Sequence, residues 1–512
     1  MRPLFVATLA LLVAAAFAGV PRSATSSRNV PTSRKIMEHM ITRGLVQNAP
    51  KPTATSPNPA IVIENFFTTR IDHFNAQNTD EWTLRYLAVT DWYQPGGPIL
   101  IWLGGYMPIQ PYMVDESSLI YDMAREMHGA VYAFETRFFG QSWITEDVST
   151  ENLRFLNADQ VLADLAEFVA YLKRDVLRNE YAHVLVSGVG YGGSLATWFR
   201  VRYPHLSDAA WSSSGVHNAL VDFQEFAEDW GQTLIDFGSQ ECYNEIFVAF
   251  NVMQNLIDAG REDILYERLD LCDEIDTEDR LEVSFFFLTM MSSVEFSTLS
   301  TGNLTAFADV CNDITGVDMP TALDAFADWF NNKLHADDDC AEADPEVFID
   351  WLREDDWESE WVQKGARQLF YQECTELGLF MTTDSDLQPF GNRVGLDMWT
   401  DLCQEVFGEW ITFESIYYAT QRSNNRFGAL NPRVNFIHFT NGAENPIRRV
   451  AILNDLNTEA LSDVIPNEMF GSDTRAISVN DSEELQAVKR RLKALLSYYL
   501  FPQGPRETPV EN

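Results

Sequence analysis

The sequence predicts an α/β chain, a mostly parallel sheet whose strands are split by a long helical insertion. Three observations predict it. Short apolar, β-branched runs alternate with helix-period segments between residues 61 and 217. From 218 to 425 that alternation stops, and long acidic segments with helical spacing take over. Strand-like runs return at Val434–Thr440 and Arg475–Val479, ahead of a final amphipathic helix.

The elements follow in chain order. Met1-Arg2 supplies a positive start, Leu4 to Ala18 is apolar, and Ala16-Phe17-Ala18 has a small-x-small cleavage pattern. Residues 1–18 are therefore expected to be a signal peptide. Residues 19–60 are rich in Ser, Thr, Pro and Asn and read as a flexible leader; only Ile36 to Leu45 has helical spacing there. Residues 61–217 form the first part of the sheet domain. Pro98–Leu103 reads as a buried strand ending in Gly104-Gly105, and Ala130–Phe134 as another. Asn157 caps a helix with apolar residues at Val161, Leu162, Leu165, Phe168, Val169 and Leu172. A strand from His183, a glycine-rich turn, a helix from Gly192 to Tyr203 and a short strand at Ala209–Ser212 follow. After the 218–425 insertion, residues 426–502 complete the sheet domain with a helix from Glu483 to Leu500, and 503–512 is a polar tail.

Composition excludes several classes of function. The chain has 512 residues and a net charge of −40, a poor match for nucleic acid or an anionic lipid surface. No stretch after the N-terminal one is apolar for the length of a membrane span. The six cysteines, Cys242, Cys272, Cys311, Cys340, Cys374 and Cys403, form no C-x-x-C pair, which argues against zinc. An even count behind a signal peptide implies disulfides, with the pairing left open. Asn303-Leu-Thr305 and Asn480-Asp-Ser482 are glycosylation acceptors. A secreted protein follows, with a lysosomal or other acidic lumen as the alternative. The eight histidines make no metal-binding spacing, and no cofactor or metal is expected. Asp337-Asp338-Asp339 reads as a solvated loop.

The glycine-rich turn carries the functional argument. Gly188-Val-Gly190-Tyr-Gly192-Gly193 lies between a strand and a helix. In α/β-hydrolases that place holds G-x-S-x-G, the serine standing on a sharp turn above the sheet. Here Gly190 occupies the position of the nucleophile. Glycine tolerates the strained turn but has no oxygen to attack a carbonyl. The turn also satisfies G-x-G-x-x-G, with Asp208 about twenty residues on. A dinucleotide site is disfavoured: Asp208 precedes the next strand instead of ending it, and earlier strands come before the turn.

Several other stretches resemble the Pro-Xaa carboxypeptidase family of serine peptidases. They are Ile71-Asp-His73-Phe-Asn75, Thr83-Leu-Arg-Tyr86, Trp102-Leu-Gly-Gly105, Glu135-Thr-Arg137-Phe-Phe-Gly140-Gln-Ser142 and Leu153-Arg-Phe-Leu156. Further on come Trp198–His205, Ser212-Ser-Ser214, Tyr371-Gln-Glu-Cys374-Thr-Glu376-Leu-Gly378 and Asn441-Gly442. The resemblance implies an α/β-hydrolase domain with a helical cap inserted before the last strands, and removal of short pieces from peptide ends next to proline. It also implies the pairs Cys242–Cys311, Cys272–Cys340 and Cys374–Cys403.

Carried over position by position, the family's triad is missing. The serine position is Gly190, the aspartate position is Asn445 in Asn441–Ile447, and the best match for the histidine is Phe470 in Asn467–Asp473. A second argument needs no alignment. Hydrolase triads run Ser, Asp, His along the chain, and the last histidine here is His438, ahead of the turn that should carry the acid. Ser187 and Ser194 read as structural, Glu444 has no base to orient, and His73 and His205 are expected to be buried hydrogen-bonding residues. The backbone N–H groups of Tyr191 and Gly105 remain as oxyanion-type donors.

These readings predict a catalytically inactive relative that binds peptide ends or an active relative. A working serine exopeptidase and an acidic storage or structural protein are the alternatives. Oligomeric state is open, a homodimer included.

Overall fold

The structure, a computed structural model, describes residues 31–42, 59–316 and 319–501. The expected signal peptide, much of the leader and the polar tail lie outside the described residues.

Eight strands form one sheet: β1 (Ile63–Arg70), β2 (Glu81–Val89), β3 (Ile99–Leu103), β4 (Ala130–Phe134), β5 (Val184–Val189), β6 (Ala209–Ser213), then β9 (Ile437–Gly442) and β10 (Ala460–Ile465). A separate parallel pair joins β7 (Leu220–Asp222) to β8 (Gly378–Phe380). The order across the main sheet is β1-β2-β4-β3-β5-β6-β9-β10. Pairings among β1, β2 and β4 are antiparallel, and every other one is parallel. This is the α/β-hydrolase arrangement.

Central strands are buried on both faces, which is why they read as unbroken apolar runs. Ile99, Ile101 and Leu103 pack with Leu162, Phe168 and Leu195. Leu100 and Trp102 point the other way, toward Leu119, Ile120, Leu492 and Leu496. The helix Ala158–Tyr171 is capped by the Asn157 side chain, which accepts the Gln160 N–H at 3.1 Å.

Three expectations are corrected. Arg475–Val479 is not a strand; Arg475 makes only an isolated bridge with Ser118. The last strand is instead Ala460–Ile465, an edge strand whose polar Ser462 and Asp463 give it no apolar run. The leader is not flexible throughout, because Thr32–Thr42 is a docked helix. Ile36, Met37 and Met40 are buried in the main core. Asp338 accepts the Thr32 N–H at 2.9 Å and the Ser33 N–H at 3.2 Å, capping that helix from the far side of the insertion. The aspartate run at 337–339 is therefore partly structural rather than solvated: the Asp338 side chain is buried and also meets His335 Nδ1 at 2.9 Å.

Between Asp222 and Ile437 the described residues are mainly helical, running from Gln224–Thr233 to Phe413–Phe427, with no strand of the main sheet. Three disulfides tie this region, Cys242–Cys311, Cys272–Cys340 and Cys374–Cys403. They are the pairs the resemblance implies. The first two interlock along the chain and close loops of 69 and 68 residues. In the chain-entropy view each contributes about 4 kcal/mol.

Candidate active site

At the end of β5 the chain turns sharply into the helix Tyr191–Arg202, and Gly190 is the turn, with φ 57° and ψ −123°. Few side-chain-bearing residues adopt that backbone. Its neighbours are glycines for a different reason. A Cβ on Gly188 would lie 2.5 Å from the Gly192 carbonyl carbon, and one on Gly192 would lie 2.6 Å from the Leu103 carbonyl oxygen. The nearby serines are bonded to main chain. Ser187 donates to the Ile101 carbonyl at 3.0 Å, and Ser194 to the Val216 carbonyl at 2.5 Å. Gly105, at φ 66°, sits against the same helix start; a Cβ there would be 3.0 Å from Gly192 N. Tyr191 is buried, its ring stacked on Tyr106 at 4.2 Å, and its hydroxyl accepts from Gln372 Nε2 at 2.9 Å. Burial pushes its phenol well above the usual range.

Two loops at the ends of β9 and β10 bring Asn445 and Phe470 to one cleft of about 450 Å³. Asn445 caps the 3-10 turn Pro446–Val450, its Oδ1 accepting the Ile447 N–H at 3.2 Å. Its buried Nδ2 has no hydrogen-bond partner among the described residues. The Phe470 loop lies flat on Gly442, where a Cβ would meet the Glu468 and Met469 carbonyls at 2.3 and 2.4 Å. Asp473 anchors the loop: Ser213 Oγ donates to it at 2.6 Å, and the Thr440 hydroxyl also donates. No spacing pattern in the sequence marks Asp473, because its partners lie on two distant strand ends.

One side of the cleft is formed by Phe226, Phe296 and Leu299 of the insertion, and another by Lys35, Glu38 and His39 of the docked leader helix. His39 Nε2 is 3.4 Å from the buried Glu295 carboxylate. This imidazole was missed because the chain-order argument searched only after residue 438. The helical spacing from Ile36 was the available signal.

The other histidines are placed elsewhere. His73 Nε2 is 2.7 Å from Asp164, which also accepts Arg137 at 2.6 and 2.7 Å, so part of the Glu135–Ser142 motif is a buried structural network. His205 is exposed, not buried as expected, because it follows Pro204 on a surface turn. His217 Nε2 meets Thr197 Oγ1 at 2.9 Å, and burial lowers its pKa to about 3. Asn303 and Asn480 are exposed. Among the described residues no cluster of three or more metal-ligating side chains occurs, and no helix is long and apolar enough to cross a membrane.

The sequence model described as serine carboxypeptidase S28 matches residues 69–492. The Caenorhabditis elegans protein K12H4.7 is 27% identical over 512 residues, covering 96% of this chain and 99% of its own. Mouse thymus-specific serine protease is 25% identical over 449 residues, covering 84% and 86%. Human lysosomal Pro-X carboxypeptidase is 32% identical over 238 residues, covering 44% and 48%. With the family match spanning most of the sheet domain and the whole insertion, the chain belongs to the serine carboxypeptidase S28 family.

Proposed function

We propose that this chain is a secreted, glycosylated and catalytically inactive member of its family that binds peptide ends in the cleft beside Asn445 and Phe470. One observation carries the reading: the turn that should raise a nucleophile holds Gly190, which has no hydroxyl. The other triad positions agree. Asn445 spends its carbonyl on a backbone cap and carries no charge, and Phe470 has no proton acceptor. Loss of a serine or histidine from such a unit costs about a millionfold in turnover, leaving roughly 10³–10⁴-fold over water.

Binding chemistry remains in place. The cleft pairs aromatic and aliphatic walls with the unpartnered Asn445 amide and the exposed Lys35 ammonium, which suit an apolar side chain next to a carbonyl or carboxylate. The backbone N–H groups of Tyr191 and Gly105 are the proposed oxyanion-type donors.

A second reading, an active exopeptidase, is favoured by His39, which lines the cleft with the buried Glu295 carboxylate behind it, since an imidazole beside a carboxylate is half of a catalytic device. A fluorophosphonate probe separates the two. The inactive reading expects no labelling and no hydrolysis of proline-containing reporters between about pH 4 and 8. Labelling abolished by His39→Ala would overturn it.

A further inference from the structure

A second cavity of about 410 Å³ lies between the sheet domain and the inserted helices, and it shares no lining residue with the cleft. Arg154 and Asp159 reach it from one side, and Arg422 and Arg426 from the helix Phe413–Phe427 on the other. Tyr418, Arg422 and Arg426 are spaced four residues apart, so they share a face of that helix. Two rings at the groove stand in solvent, Phe74 at 60% and Trp410 at 55% exposure, and Tyr418 beyond it is 69% exposed.

The charges do not balance at this groove. Arg426 is held by Asp159 at 2.6 Å. Glu376 is turned inward, accepting the Ala158 N–H at 3.1 Å and Gln372 Nε2 at 3.2 Å. Arg154 pairs with the exposed Glu151 at 3.3 Å and lies 4.7 Å from the centre of the Phe155 ring, with no other ion pair among the described residues. Arg422 touches the Thr375 carbonyl at 3.4 Å and forms no ion pair among the described residues. Cationic surplus here is unusual on a chain with 76 acidic and 36 basic residues. Exposed Trp and Tyr beside Arg is also the composition of binding hot spots.

We propose that this groove docks an acidic peptide segment of another protein, its carboxylates on Arg154 and Arg422 and an apolar side chain against Trp410 and Phe74. Charge complementarity selects the acidic partner, and the exposed rings select a peptide over a bare anion. The test uses the full protein and a fluorescein-labelled Glu-Glu-Trp-Glu-Glu peptide, read by fluorescence anisotropy at low salt. Saturable binding is expected, falling steeply with added salt. Arg422→Glu and, independently, Arg154→Glu should each weaken it about tenfold. Phe470→Ala in the cleft should leave it unchanged, so failure here is distinct from failure of the cleft reading. Equal binding of the Gln-Gln-Trp-Gln-Gln peptide, or no effect of either folded arginine variant, would overturn the proposal. So would sulfate competing as tightly as the peptide, which marks a small-anion site. A dimer in sedimentation that Arg422→Glu dissolves would also overturn it, assigning the face to a second copy.

Discussion

Replacing Gly190 by serine would put a hydroxyl at the proposed nucleophile position, and its consequences can be worked from the turn itself. At φ 57° and ψ −123° a residue with a Cβ is strained, and such positions cost about 1–3 kcal/mol. Gly190→Ser should therefore lower unfolding stability by about that amount in urea titrations, because no new hydrogen bond is positioned to offset it. Activity should not appear. The other two positions carried over from the family supply no base: Asn445 Oδ1 is engaged with the Ile447 N–H, and Phe470 accepts no proton. An unassisted serine is a weak nucleophile at neutral pH. On the proposed reading, only Gly190→Ser combined with Asn445→Asp and Phe470→His would supply all three groups. The aspartate can keep the cap, since its Oδ1 accepts the same N–H. The assay is fluorophosphonate labelling of the single and triple variants beside an active relative. Labelling of the single variant at the relative's rate would refute the reasoning and point to His39 as a working base. An unchanged urea midpoint would refute the strain argument.

Four further outcomes are expected. His217 is buried and neutral, with its pKa lowered to about 3, so the unfolded chain binds a proton below about pH 6.5 that the folded chain refuses. Stability from this group is therefore complete above about pH 6.5 and lost as pH falls toward 3, by about 2 kcal/mol at pH 5; His217→Gln should flatten that acid limb of urea midpoints against pH. Asp338→Ala removes the cap of the leader helix and should cost about 1–2 kcal/mol locally, seen as faster amide hydrogen exchange across residues 32–42; unchanged protection would count against the docked helix. Cys374→Ser with Cys403→Ser opens a 29-residue loop and should lower stability by about 3.6 kcal/mol, checked by calorimetry of the double variant. Gly192→Ala drives a Cβ to 2.6 Å from the Leu103 carbonyl and should destabilise by several-fold more than alanine at the open Gly260 turn relieves or costs, checked by comparing the two urea midpoints.

The legible parts of this chain are those where one physical demand repeats over neighbouring residues. Strands β3 to β6 were readable because burial on both faces requires continuous apolar side chains, as in Ile99–Leu103. β1 and β10 were not, since an edge strand mixes Glu64 and Asp463 into its run, nor was β2, whose run is broken by the buried Arg85 that bonds Glu135. The elbow was readable for the same local reason: glycines at 188, 192 and 193 meet backbone or side chain at close range. The rest of the site depends on partners far apart in sequence. His39 meets Glu295 across the leader helix and the insertion, and Asp473 ties Ser213 to Thr440. Asp338 caps a helix about three hundred residues upstream. None of these pairs leaves a periodicity, because each satisfies a single charge or a single helix end. That distinction bears on function. Gly190, at the proposed nucleophile position, belongs to the local class. The cleft's lining belongs to the distant class, and its leader wall of Lys35, Glu38 and His39 comes from a helix that the turn chemistry of the sheet domain does not require. On the proposed reading, a change in that helix alone would alter what the cleft binds, while the sheet, the elbow and the disulfides stay as they are.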